Sequence, residues 1–155
     1  MYRLSRIILF LVILPVAHSW GLQAQELKYQ LFNDQWDHEQ ILDAQVQLVI
    51  LTSHKEGSAW VKQALKDLNI SDLNARHWLY VANISSMPKM ITKMFAIPKM
   101  RDYQFPVALV RDETRVKDWP IKKNTVAVYS LENLNIKSVD YFEDEASLKE
   151  FLQDH

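Results

Sequence analysis

Gln45-Val46-Gln47-Leu48-Val49-Ile50-Leu51-Thr52, Ser53-His54-Lys55-Glu56-Gly57-Ser58 and Ala59-Trp60-Val61-Lys62-Gln63-Ala64-Leu65-Lys66-Asp67-Leu68 form one uninterrupted stretch of the chain. Val46 to Thr52 is a nearly continuous apolar run of strand length, rich in β-branched residues, as expected of a strand buried on both faces. Trp60, Val61, Ala64, Leu65 and Leu68 recur at helical spacing, opposite Lys62, Lys66 and Asp67, and predict an amphipathic helix. The polar residues between them lie at the strand's carboxyl end. In open α/β sheets that is where ligands gather.

The rest of the chain extends this unit. Leu27 to Phe32 alternates and predicts a short strand or arm, Asn33 to Asp37 is turn-like, and Ile41-Leu42 is an apolar anchor. His77 to Asn83 is a second apolar strand, in which His77 is expected to be partly buried. Ser86 is a candidate N-cap and Pro88 fits a first helical turn. Met87, Met90, Ile91, Met94 and Phe95 then follow the spacing of a core-facing helix that Pro98 ends. Phe105 to Val110 reads as a third strand, and Asp112 to Trp119 as a helical turn or loop. Thr125–Leu131 and Ile136–Phe142 flank Glu132-Asn133-Leu134-Asn135, a hairpin with a four-residue loop. Glu143, Asp144 and Glu145 suit a helix start, and Leu148, Phe151 and Leu152 form its buried stripe.

Residues 1–24 are expected to be a signal peptide. Arg3 and Arg6 are followed by the apolar run Ile7 to Ala17, too short to span a bilayer, with cleavage after Ser19 or Ala24. A single domain, 25–155, would remain, with no stable membrane span, in the periplasm or secreted. Its formal charge falls from −1 to −3 when Arg3 and Arg6 leave, which argues against nucleic acid as a partner. The chain has no cysteine, so every thiol mechanism is excluded.

The order strand-helix-strand-helix-strand, hairpin, helix resembles the thioredoxin-like superfamily, and its peroxiredoxin and thiol-oxidoreductase branch in particular. Phe32-Asn33-Asp34-Gln35 with Leu42 is similar to that branch's opening F-x-D-Q-x-G, with Asp37 in place of the glycine. Phe105 to Asp112 is similar to its P-v-l-x-D segment. The resemblance implies an α/β, three-layer fold: a mixed central sheet with helices on both faces. It also places Glu56-Gly57-Ser58-Ala59 where the family carries its reactive cysteines, and Lys123-Asn124-Thr125 where it carries a cis-proline. Without proline a cis bond costs about 2.5–4 kcal/mol, so trans is expected. The chain is similar to exported, degenerate thioredoxin-like proteins of Gram-negative bacteria.

The implied function is a binding or accessory module of the cell envelope without catalytic residues, metal or cofactor, contacting an unidentified protein or small molecule. Its candidate binding residues are His54, Lys55, Glu56, Ser58 and Asn124. The alternative is a non-redox enzyme or a copper binder using the loop from His54 to Ser58. Without such chemistry, Glu56 or Ser58 is expected to cap the helix. Met87, Met90 and Met94 include soft ligands suited to copper(I), but the helical spacing assigns them to the core. Lys89, Lys93, Lys99 and Arg101 form a basic patch on that helix's outer side, either a solvated face or a contact for an acidic partner or lipid headgroups. Trp36 and Trp119, in loops, are expected to be exposed.

Overall fold

The computed structural model describes residues 25–155, so the expected signal segment lies outside the described residues. A hairpin of β1 (Gln30–Asn33) and β2 (Glu39–Leu42) precedes β3 (Leu48–Thr52), α1 (Lys55–Asp67) and β4 (Trp78–Asn83). An unbroken helical stretch over 89–100 follows, made of α2 (Lys89–Ile91), a π turn (Thr92–Ala96) and α3 (Ile97–Met100). β5 (Ala108–Val110), a 3-10 turn (Glu113–Arg115), β6 (Val126–Glu132), β7 (Asn135–Phe142) and α4 (Glu145–Gln153) complete the chain.

The sheet order is β2-β1-β5-β4-β3-β6-β7. β3 pairs parallel with β4 and antiparallel with β6, and β4 pairs parallel with β5. β3 is therefore interior, and all five of its residues are buried. Its period of two feeds two cores. Leu48 and Ile50 face α1 and α4 through Val61, Ala64, Leu65, Leu148 and Leu152. Val49 and Leu51 face the other layer, which Leu27, Val116 and Trp119 close around the 3-10 turn. Parallel pairing puts the carboxyl ends of β3, β4 and β5 on one edge of the sheet.

Several local expectations change. Pro106 has no N–H and that of Val107 is taken by Gln35 Oε1 at 2.8 Å, so β5 starts only at Ala108. The hairpin loop has two residues, not four, because Glu132 pairs with Asn135 while Asn133 and Leu134 take φ of 49° and 67°. Both positive angles match the turn whose twist suits paired strands. His77 is exposed, at φ 56°, before β4 begins. Trp36 is exposed as expected, but Trp119 is buried, edge-on to Tyr129 with ring centroids 5.6 Å apart.

The largest correction concerns the methionine helix. Pro98 does not end it. The wider π turn immediately before Pro98 loosens the spacing where the proline ring would otherwise crowd the carbonyl of Met94. Nor does the apolar stripe face the core: Met90 is 71% exposed, Phe95 62%, Met94 60% and Ile91 44%. Thr92 and Met100 are the buried residues of the stretch, and Ile97 packs partly against the core. Its far end is pinned by Gln35, whose amide donates to the Met100 and Phe105 carbonyls at 3.2 and 2.8 Å.

Candidate functional site

The polar loop leaves β3 at Thr52 and enters α1 at once. His54 is the N-cap, extended at φ −146° and ψ 159°, and among the described residues no side chain caps this helix end. Glu56 and Ser58 are consequently first-turn residues and not caps, which corrects the capping reading. Lys55 and Glu56 are exposed, Gly57 is buried, and Ser58 is half-buried.

Three hydroxyl groups line up behind the loop. Ser58 Oγ donates to the His54 carbonyl at 3.2 Å, Thr52 Oγ1 lies 3.1 Å from Ser58 Oγ, and Tyr80 Oη lies 3.2 Å from Thr52 Oγ1. A carbonyl only accepts, so the proton order that satisfies every contact runs Tyr80 to Thr52 to Ser58 to His54. Burial pushes the Tyr80 phenol up to about 12, which keeps it a neutral donor. The chain ends on a backbone oxygen and, among the described residues, meets no base. A serine nucleophile needs a base within hydrogen-bond reach, so Ser58 is held as a structural hydroxyl.

The His54 imidazole does not join this chain. It lies over Gly57, edge-on to the half-buried Trp60 ring with centroids 5.5 Å apart, and its Nε2 is buried without a hydrogen-bond partner among the described residues. Asn124 is exposed at φ 58°, two residues before β6, whose Ala127 pairs with Leu51. It therefore shares the loop's edge of the sheet. Among the described residues no hydrogen bond or ion pair links Asn124 to His54, Lys55, Glu56 or Ser58. The described peptide bonds are all trans, including those around Asn124. Among the described residues no three His, Asp or Glu side chains are grouped to hold a metal.

A second feature lies beyond β4 and β5. A cleft of about 530 Å³ is lined by Ser85, Lys89, Lys93, Arg101 and Arg111, with Asp37 at its rim. Arg111 approaches Asp37 at 4.0 Å, and Arg101 Nε donates to the Gln35 carbonyl at 2.8 Å. Among the described residues Lys89 and Lys93 make no ion pair. The sequence shows three of these cations as a patch on one helix. It does not show Arg111 beside them, because β5 delivers that residue from elsewhere in the chain.

No protein-family model and no curated protein matches the chain. Solved structures do match it in shape. Peroxidoxin BcpB from Mycobacterium tuberculosis superposes with a TM-score of 0.56 at 12% identity, over 84% of this chain and 92% of that one. DsbE from Chlorobium tepidum, described as a thiol:disulfide interchange protein, gives 0.56 at 14% identity over the same shares. A peroxiredoxin-like protein from Aquifex aeolicus gives 0.51 at 7% identity, over 84% and 85%. At such identities the likeness is one of fold. This chain has a thioredoxin-like, peroxiredoxin-like fold that carries no cysteine.

Proposed function

We propose that this protein is an exported, non-catalytic binding module of the cell envelope, whose contact surface lies on the sheet edge that carries the loop from His54 to Ser58 and the 89–100 helix. One observation carries the reading: Met90, Ile91, Met94 and Phe95 stand exposed together on a single short helix. Contiguous exposed apolar surface of this kind marks interaction sites. The chemistry of the loop agrees. The hydroxyl of Ser58 is tied to a carbonyl, and the loop's carboxylate, Glu56, is exposed and not paired with His54.

The test is site-specific photo-crosslinking in living cells that export the protein. A crosslinking residue at Phe95 is expected to trap a component of the envelope, while the same residue at Ser138 on β7, the far strand of the sheet, traps none. Adducts from Ser138 but not from Phe95 would overturn the reading. So would recovery of the protein from the cytoplasmic fraction alone.

A further inference from the structure

We propose that the 89–100 helix docks on an anionic lipid surface, its apolar side chains entering the headgroup layer and its cations pairing with lipid phosphates. This names the partner of the contact surface proposed above and rests on that reading. The sequence from 86 to 101 holds Lys89, Lys93, Lys99 and Arg101 and no acidic residue, in a chain whose formal net charge is −1. Positive charge is thus concentrated on the element that also exposes Met90, Ile91, Met94 and Phe95. Apolar and cationic side chains on one exposed helix are the composition of an interfacial helix, whose binding combines buried apolar area with attraction to anionic lipid. The chain's net negative charge would turn its other faces away from such a surface and this helix toward it.

Shape distinguishes lipid from the other occupants. The exposed apolar residues form a ridge: none of the four lines the neighbouring cleft, whose apolar contacts come from Ile84, Met87, Ile97 and Pro98. A folded partner would need a matching groove, whereas a fluid headgroup layer conforms to a ridge about 9 Å long. A second copy is disfavoured by charge. A two-fold contact through this face would set Lys89 and Lys93 against their own images, and like charges brought together across an interface oppose association. Attachment of this kind needs no spanning segment, and among the described residues no helix is long and apolar enough to cross a membrane.

Because the chain has no cysteine, Met94→Cys gives the full-length protein one labelling site for an environment-sensitive fluorophore. With phosphatidylglycerol-containing vesicles the label is expected to brighten and shift to the blue, whereas with pure phosphatidylcholine it stays unchanged. A label at Ser138→Cys should not respond, which separates this contact from any made by Ile7 to Ala17. In the Met94→Cys background, Lys89→Glu with Lys93→Glu is expected to weaken the response at least about tenfold, as is Ile91→Ser with Phe95→Ser. A silent label at 94, equal responses to the two lipids, or equal responses at 94 and 138 would overturn the proposal. So would a label that responds to protein concentration without vesicles while sedimentation shows dimers, because a second copy would then cover the face. A protein trapped at Phe95 in cells while the label ignores lipid would remove the lipid and leave the binding module standing.

Discussion

The His54 imidazole occupies the space a side chain at Gly57 would need. A Cβ built on Gly57 would stand 2.5 Å from His54 Cε1 and 3.0 Å from Nε2. Gly57 is the third residue of α1, a position with no positive φ to require glycine. A side chain at position 57 and the ring as it is seated exclude each other.

A double-mutant cycle tests that relationship. Glycine within a helix is about 0.5–1 kcal/mol less favourable than alanine. In a His54→Ala background, Gly57→Ala is expected to stabilise the protein by about that amount. In the native background the displaced imidazole offsets the gain, so urea unfolding should show a coupling of at least about 0.5 kcal/mol. Additive effects would mean that the ring is not seated on Gly57.

The exposure of the methionine helix has a direct energetic signature. Phe95→Ser is expected to change unfolding free energy by no more than about 0.5 kcal/mol, the range of surface substitutions. Truncating a core phenylalanine costs about 3–5 kcal/mol. Leu65→Ala, in the fully buried face of α1, serves as the reference and should cost about 2–5 kcal/mol. Chemical denaturation of the three proteins in parallel gives the comparison, and a Phe95 loss equal to that of Leu65 would restore the core-facing reading.

Alkaline pH should weaken the fold through the hydroxyl chain. The Tyr80 phenol titrates near 10.0 in the unfolded chain and at about 12 when folded, because burial disfavours the phenolate. Its contribution is therefore fully present below pH 10 and is lost as pH rises toward 12, where the unfolded state has already released its proton. Tyr129 is raised by the same cause and acts in the same direction. Thermal melts at pH 9, 10 and 11 are expected to show a falling Tm, and Tyr80→Phe should shrink the fall at a cost of about 1 kcal/mol at neutral pH. A Tm independent of pH over this range would place Tyr80 in contact with solvent.

The sheet was legible in the sequence because a strand buried on both faces has a composition of its own, and Leu48 to Thr52 and Trp78 to Asn83 have it. The opening motif was legible too. Asp34 is buried and accepts from the Trp36 and His38 amides at 2.8 and 3.0 Å, which builds the turn between β1 and β2. Asp37, which stands where the resembled family has glycine, takes a φ of 67°. The methionine helix departs from the expectation of its spacing for a physical reason. Spacing shows that Met90, Ile91, Met94 and Phe95 share a face, but it does not show what that face meets. Here the core beneath β4 and β5 is already filled by Met100, Phe105 and Val107, so the stripe is left outside. The hydroxyl chain was not legible, because Thr52 and Tyr80 come together only when β3 and β4 pair. Nor was the cleft, which needs Arg111 from β5 beside Lys89 and Lys93.

The sequence resemblance places the family's thiol site on the loop after β3, and we propose that a thiol restored there would be activated by the start of α1. Glu56 is the second residue of α1, exposed, beside first-turn N–H groups that have no partner within the helix. A sulfur placed there would feel the helix N-terminus, and His54 and Lys55 stand next to it in the chain. Titrating the thiolate absorbance of the Glu56→Cys, Ala59→Cys double variant tests the claim most directly. The account predicts a thiol pKa below the free-cysteine value of about 8.5. A value at or above it would show that position 56 does not sit at the helix start, and would contradict the account.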